Sequence, residues 1–471
     1  MKEEYFDIII IGAGPSGIFA ALSLAEKGLK ILILEKGFPL EQRNCPRKEL
    51  RCLGCRPCSI LNGWGGAGAF SDGKLTLSKD FGGSLQEFAG EEKTEELISR
   101  VDEYYLFFNA PPAVYGNDKK AVSELQKKAA AAELKLIPAP IRHLGTENCF
   151  KVLEEMKRYL QEKVEFRFRQ AVTEFLVEQG EIKGVKLENG DTLNARYVIC
   201  GPGRQGSPWF YNEARRLELN ISNNPVDIGV RIELPAGVME HITKEVYESK
   251  FIYYSPSFDD RVRTFCMNPF GEVVIENSEG VITVNGHSYR DKERQTENTN
   301  FALLVSKNFT EPFKEPIRYG TYIASLANML GGGVLIQRLG DLLAGRRTTE
   351  ERLQRGLVRP TLKDATPGDL SLVLPYRYLR SILEMMEAMD LIAPGVYSRH
   401  TLLYGIEVKF YSHRVKLSPY LETEIRNLFA VGDGAGVTRG LIQASASGML
   451  VGEEISRRLY RAAFLVYPAR K

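Results

Sequence analysis

Three glycines and one acid carry the clearest chemistry in this 471-residue chain: Gly12, Gly14 and Gly17 in the string Gly12-Ala13-Gly14-Pro15-Ser16-Gly17, and Glu35 beyond it. Gly12 at this spacing permits a tight turn, Gly14 lets backbone approach a pyrophosphate, and Gly17 allows close packing of a helix on a strand. A carboxylate at Glu35 would accept hydrogen bonds from a ribose. The elements that must position these groups surround them. An apolar run at 8–11 ends on the glycine turn, an Ala/Leu-rich helical pattern follows, and a second apolar run at 31–34 closes on Glu35. GxGxxG alone is common, but strand, helix, strand and acid in this order specify a dinucleotide-binding βαβ unit.

The bulk numbers narrow the class. A chain of this length suggests two or three structural units, and 44% hydrophobic with 26% charged residues is ordinary for a globular protein. With 62 Lys+Arg against 60 Asp+Glu, the net charge of +2 gives no reason to expect nucleic acid as a partner. No stretch approaches the ~20 apolar residues of a membrane span. The first strand begins by residue 6, which leaves no room for a leader, so the expected location is the cytoplasm. The basic, partly apolar tail at 457–471 reads as a docked terminal helix rather than a membrane-surface segment.

Downstream, residues 37–75 are rich in Gly, Cys, Arg and Pro and read as an ordered loop. Residues 84–108 and 118–133 have helical spacing, and 149–163 is amphipathic. Residues 164–203 alternate as strands with turns at 179–181 and 188–191. Many short β-type runs fill 221–395, and strand then helix return from 401 onwards. The expected architecture is α/β: a Rossmann-type domain of three layers, with a parallel sheet and a β-meander, assembled from 1–75, 145–220 and 396–471. A helical insertion would occupy 76–144, and a strand-rich α+β substrate domain 221–395.

With these blocks in view, the chain resembles the glutathione-reductase-type two-dinucleotide-binding flavoproteins. The likeness rests on residues 12–35, 198–203 and 427–436, the last containing the string NLFAVGD. The resemblance implies FAD, with Asp433 bonded to the ribityl chain and the following helix aimed at the flavin, where its start stabilises negative charge. The strings GWGGAGAFSDGKLTLS (63–78), VRTFCMNPFGEVV (262–274), VNGHSY (284–289) and GDGAGVTRG (432–440) also resemble a bacterial and archaeal family of uncharacterised FAD-dependent dehydrogenases. The expected cofactor-binding set is Gly12, Ala13, Gly14, Pro15, Ser16, Gly17, Glu35 and Lys36; Gly65, Gly66, Ala67, Gly68, Phe70 and Ser71; Val172; Gly201, Gly203 and Arg204; and Gly432, Asp433, Gly440, Leu441 and Ala444. The second GxGxxG, at 201–206, lacks a following strand ending in an acid, so it reads as a further FAD contact rather than a separate nicotinamide domain. NAD(P)H would then visit transiently.

Cys45, Cys52, Cys55 and Cys58 form a C-x6-C-x2-C-x2-C cluster. Four-thiolate zinc, an iron–sulfur cluster, a redox-active pair and plain reduced thiols are all compatible with it; the expected occupant is a metal, as zinc or an iron–sulfur cluster, held by these four cysteines. The five histidines, His143, His241, His287, His400 and His413, have no HExxH or HxH spacing, so a histidine-based metal hydrolase is not supported. Lys74 and His287 are candidates for positions near flavin or substrate, and Tyr404 or Glu407 for a proton donor. Arg231, Arg263 and Arg290 are candidates for a substrate carboxylate. The expected activity is hydride exchange between FAD and a small organic substrate, either dehydrogenation or reduction of a double bond as in geranylgeranyl reductases. A flavin monooxygenase and an electron-transfer flavoprotein serving a protein partner are the alternatives. Oligomeric state is not legible.

Overall fold

Strand β1 (Tyr5–Ile11) is buried along nearly its whole length, as a central parallel strand must be when both its faces are covered. In the computed structural model, which describes residues 4–46, 53–278, 280–289, 291–309, 312–313 and 315–466, the chain divides into two units. The first comprises Met1–Pro112, Arg142–Asn224 and Tyr411–Lys471, and the second Ala113–Ile141 and Pro225–Phe410. The stretch expected as one helical insertion, 76–144, is therefore shared between them. The last strand before residue 410, expected in the dinucleotide domain from 396 onwards, belongs to the second unit.

In the first unit, β1 leads into helix α1 (Pro15–Leu24) and strand β2 (Ile31–Glu35); α2 (Glu91–Phe107) and α3 (Thr146–Leu160) follow. Next come β3 (Glu165–Phe168), β4 (Val172–Glu178), β5 (Glu181–Leu187), β6 (Thr192–Cys200) and α4 (Gly203–Arg216). The seven-stranded sheet runs β3-β2-β1-β6-β5-β4, and a distal strand, Leu428–Ala430, also pairs with β6. β6 is shared along its length. Its first residues pair antiparallel with β5, completing a β4-β5-β6 meander, while its last three pair parallel with the distal strand. The terminal helix, Leu441–Val466, packs on α1 through small residues. A Cβ on Gly448 would sit 1.9 Å from the Ser16 carbonyl oxygen, and one on Gly452 would sit 1.8 Å from Ser23 Oγ.

The second unit is built on an eight-stranded sheet. Strand β7 (Val226–Pro235) lies antiparallel between β8 (Asn298–Lys307) and β9 (Leu402–Lys409). Alternation sorts its faces: Ile228, Val230, Ile232 and Leu234 join an apolar core with Phe301, Leu303 and Val305. Asp227, Arg231 and Glu233 are buried too, and form ion pairs and hydrogen bonds. Among the described residues no helix is long and apolar enough to cross a membrane.

Candidate dinucleotide site

The glycine turn is built as its spacing predicts. Gly12 has φ +93°, and a Cβ there would fall 2.2 Å from the Gly201 carbonyl oxygen; a Cβ on Gly17 would fall 2.0 Å from Gly12 O. Gly14 is the N-cap of α1, supplies no capping side chain, and is followed by Pro15 at the first helical position. The first-turn N–H groups thus have no side-chain acceptor, which is the arrangement an anion completes.

Three segments far apart in sequence converge on this turn. Gly201 N donates to Ile11 O at 2.8 Å and Val431 N donates to Cys200 O at 2.9 Å. Ser16 stands where they meet, since Cβ atoms on Gly201 and on Gly432 would each lie 2.8 Å from its Oγ. Gly432 N donates to Ser447 Oγ at 3.1 Å. Gly203 opens α4 with Arg204 beside it, and Arg204 lies 3.7 Å from Asp433. Burial lifts the Asp433 carboxyl above the usual aspartate range, with Arg204 opposing, and its Oδ1 accepts from Thr438 Oγ1 at 2.8 Å. Ala444 N donates to Gly440 O at the start of the terminal helix. Leu441 packs so closely that a Cβ on Gly68 would be 2.7 Å from it. Val172, at the start of the meander, is buried opposite Leu187.

Glu35 is buried and anchored. Its Oε2 accepts from Ala13 N at 2.8 Å, while Oε1 accepts from Gly37 N at 2.7 Å and Gly63 N at 3.0 Å. Oε1 is thereby filled, and Oε2 retains a lone pair for a hydroxyl donor. Lys36 follows, half-buried. The glycine loop closes over the turn: Gly65 N donates to Ala13 O at 2.7 Å, and residues Gly66–Phe70 form a 3-10 turn that leaves Ala67 exposed. Phe70 packs edge-on against Phe150, and Ser71 Oγ donates to Gly68 O at 2.8 Å. Lys74 is not solvated; its side chain is 7% exposed and pairs with Asp72 at 3.0 Å.

Two residues of this region carry no sequence signal. Arg43 is buried and donates to the carbonyls of Ser59, Ile60 and Trp64, stapling the approach to the glycine loop. Burial pulls its guanidinium down to about 10. His413 stacks on Tyr211 with ring centroids 4.0 Å apart, and its Nδ1 lies 2.8 Å from Asn223 Oδ1. Neither position is periodic or part of a motif.

The remaining candidates lie elsewhere. Cys45 is exposed, Cys55 and Cys58 are half-buried, and Cys52 lies outside the described residues. Among the described residues no three His, Cys, Asp or Glu side chains gather to hold a metal, so those present do not assemble the expected zinc or iron–sulfur site. In the second unit, His287 ends a strand paired with 272–278, and Arg290 lies outside the described residues. Tyr404 is fully buried with its hydroxyl donated to Glu233. Glu407 is fully buried and takes a two-pronged ion pair from Arg231, at 2.8 and 2.9 Å. Arg263 pairs with Asp227.

Residues 225–410 match the family described as FAD-dependent protein, C-terminal domain-like, and residues 7–43 match an FAD binding domain. An uncharacterized protein of Clostridium beijerinckii is 28% identical over 95% of this chain and 80% of its own. A digeranylgeranylglycerophospholipid reductase of Methanosarcina mazei is 56% identical over 36 residues, which are 8% of this chain and 9% of that protein. The crystal structure of L-proline dehydrogenase from P. horikoshii is similar with a TM-score of 0.41 at 13% identity, covering 97% of this chain and 94% of that one. The class is that of FAD-dependent oxidoreductases. FAD is the cofactor of this chain.

Proposed function

We propose that this enzyme exchanges hydride between FAD and a small organic substrate, as a dehydrogenase of the bacterial and archaeal family it resembles within the glutathione-reductase-type flavoproteins. FAD, when bound, supplies the two-electron chemistry. The chain's own residues bind and orient. The uncapped start of α1 and the Gly65–Gly68 backbone take the pyrophosphate. The free lone pair of Glu35 Oε2 takes a ribose hydroxyl, and Asp433 takes a hydroxyl of the ribityl chain. The observation that carries this reading is the close approach of Gly12 to Gly201 and of Gly201 and Gly432 to Ser16, three places where an added Cβ would meet the chain itself. Tyr404 and Glu407, whose polar atoms are already committed to Glu233 and Arg231, serve as structural members of the second unit.

The test is spectroscopic. The purified chain is expected to be yellow, to release FAD on denaturation, and to bleach anaerobically with NADH, NADPH or dithionite. A colourless protein that fails to bind FAD on reconstitution overturns the reading. Stoichiometric oxygen consumption with a hydroxylated product would replace dehydrogenation by monooxygenation.

A further inference from the structure

A second site stands out in the other unit, at the end of the strand Leu335–Arg338, where one buried carboxylate faces several guanidinium groups. Asp341 is 1% exposed. Its Oδ1 accepts from Arg346 Nε at 3.0 Å and lies 3.9 Å from Arg352 Nε. Its Oδ2 accepts from Thr348 Oγ1 at 3.0 Å and lies 3.9 Å from Arg338 Nε. One negative charge therefore serves three positive ones. Glu350 and Glu351 nearby in sequence are solvent-exposed. The segment 399–401 closes against the same place, since Leu339 N donates to Thr401 O at 2.9 Å and Gly340 N to Arg399 O at 3.1 Å. That brings in the exposed Arg399 and the ring of His400.

Two buried polar atoms here have no hydrogen-bond partner. Arg338 has a side chain only 8% exposed, and while its Nη1 donates to Arg352 O at 2.8 Å, its Nε donates to nothing. His400 Nδ1 is likewise buried and unpartnered. Burial first, then the charges of Arg338 and Arg399, hold His400 below the ordinary histidine range. An unpaired N–H on a buried cation is costly, and an acceptor that also carries negative charge would satisfy it.

We propose that Arg338, His400 and the arginines gathered at Asp341 form a binding site for a small oxyanion, with a phosphate group as the ligand chemistry. The inference does not rest on the flavin reading, because it uses only residues of the second unit. Phosphate suits it: guanidinium forks match its oxygens, and excess positive charge with the unfilled Arg338 Nε donor is what a dianion neutralises. The phosphate could arrive as the free ion or as part of a phosphorylated metabolite.

The experiment uses the flavin-loaded full chain and titrates inorganic phosphate by calorimetry, with sodium chloride at matched ionic strength as the control. In parallel, the ring protons of His400 are followed by NMR, assigned with His400→Gln. Phosphate is expected to bind saturably and shift the His400 signals, and Arg399→Gln is expected to weaken it by about tenfold, the loss of one charge-assisted contact. Arg338→Gln is expected to abolish it. Should that buried substitution prevent folding, Arg399→Gln and His400→Gln decide, because Arg399 is exposed and His400 is half-buried. A phosphate monoester that binds more tightly than inorganic phosphate assigns a phosphorylated metabolite, and one that binds more weakly assigns the free ion. No saturable binding, equal response to chloride, or unchanged affinity in Arg399→Gln and His400→Gln overturns the site and leaves a buried water as the partner of these atoms.

Discussion

The two sheets of this protein build their polar interiors by opposite means. Around β1 the first unit works by leaving side chains out: Gly12 and Gly17 bring main chain within reach of main chain, and Gly201 and Gly432 leave room for Ser16. Along β7 the second unit works by packing charged side chains in, with Arg231, Glu407, Glu233 and Tyr404 all buried and satisfied by one another. The difference teaches where each unit is brittle. A backbone cradle fails when anything is added, and a buried ion-pair network fails when anything is removed.

The largest effect is expected at Gly12→Val. A side chain there meets Gly201 O at 2.2 Å from a φ of +93°, so the substitution combines overpacking with backbone strain. We expect a loss of at least about 3 kcal/mol of stability and of bound FAD, read by denaturant unfolding and by flavin content. Retention of full flavin content would break the first half of the comparison. Next comes Arg231→Met, which takes the two-pronged pair from the buried Glu407 carboxylate and leaves it with Lys409 at 3.1 Å. About 3–5 kcal/mol should be lost, and the double variant Arg231→Met/Glu407→Leu should recover most of it. If the double variant is no more stable than the single one, the network is not the source of the brittleness.

Smaller effects sharpen the contrast. Tyr404→Phe removes one donor from Glu233, which keeps Thr361 and Asn298, so a loss of about 1 kcal/mol is expected from chemical denaturation. Asp433→Asn tests the first unit by pH. Its carboxyl binds a proton more tightly folded than unfolded, so it makes stability fall as pH rises from the ordinary aspartate range through its raised folded value. Melting curves of the flavin-free chain from pH 4 to 7 should show that slope in the parent and a flatter profile in Asp433→Asn. Parallel profiles would remove Asp433 from the account.

The division between legible and illegible follows the same physics. The turn at Gly12 and Gly17 is legible because a tight strand-to-helix turn demands glycine at fixed spacing, whereas Gly432 is named only through the family resemblance. The helices at Glu91–Phe107 and Lys119–Ala131 were readable because their apolar residues recur at helical period. Arg43 was not, because its role depends on carbonyls at 59–64 that only the folded loop presents to it. Tyr404 and Glu407 looked like proton donors because an acid beside a cofactor block suggests one. Their partners, Glu233 and Arg231, lie more than a hundred residues away in sequence, and only the pairing of β7 with β9 reveals them. The helices Pro316–Gly331 and Tyr376–Asp390, inside a region dominated by short β-type runs, were masked by their neighbours.

The packing of the terminal helix on α1 has a consequence for synthesis. Ser16 and Ser23 leave the ribosome early, whereas Gly448 and Gly452, which they need as neighbours, are made over 400 residues later. At roughly 5–20 residues per second that is a wait on the order of 20–90 seconds, during which α1 packs on Tyr104 and Tyr105 but lacks the terminal helix. Under the proposed reading, capture of the cofactor then waits until residues 428–452 have been made.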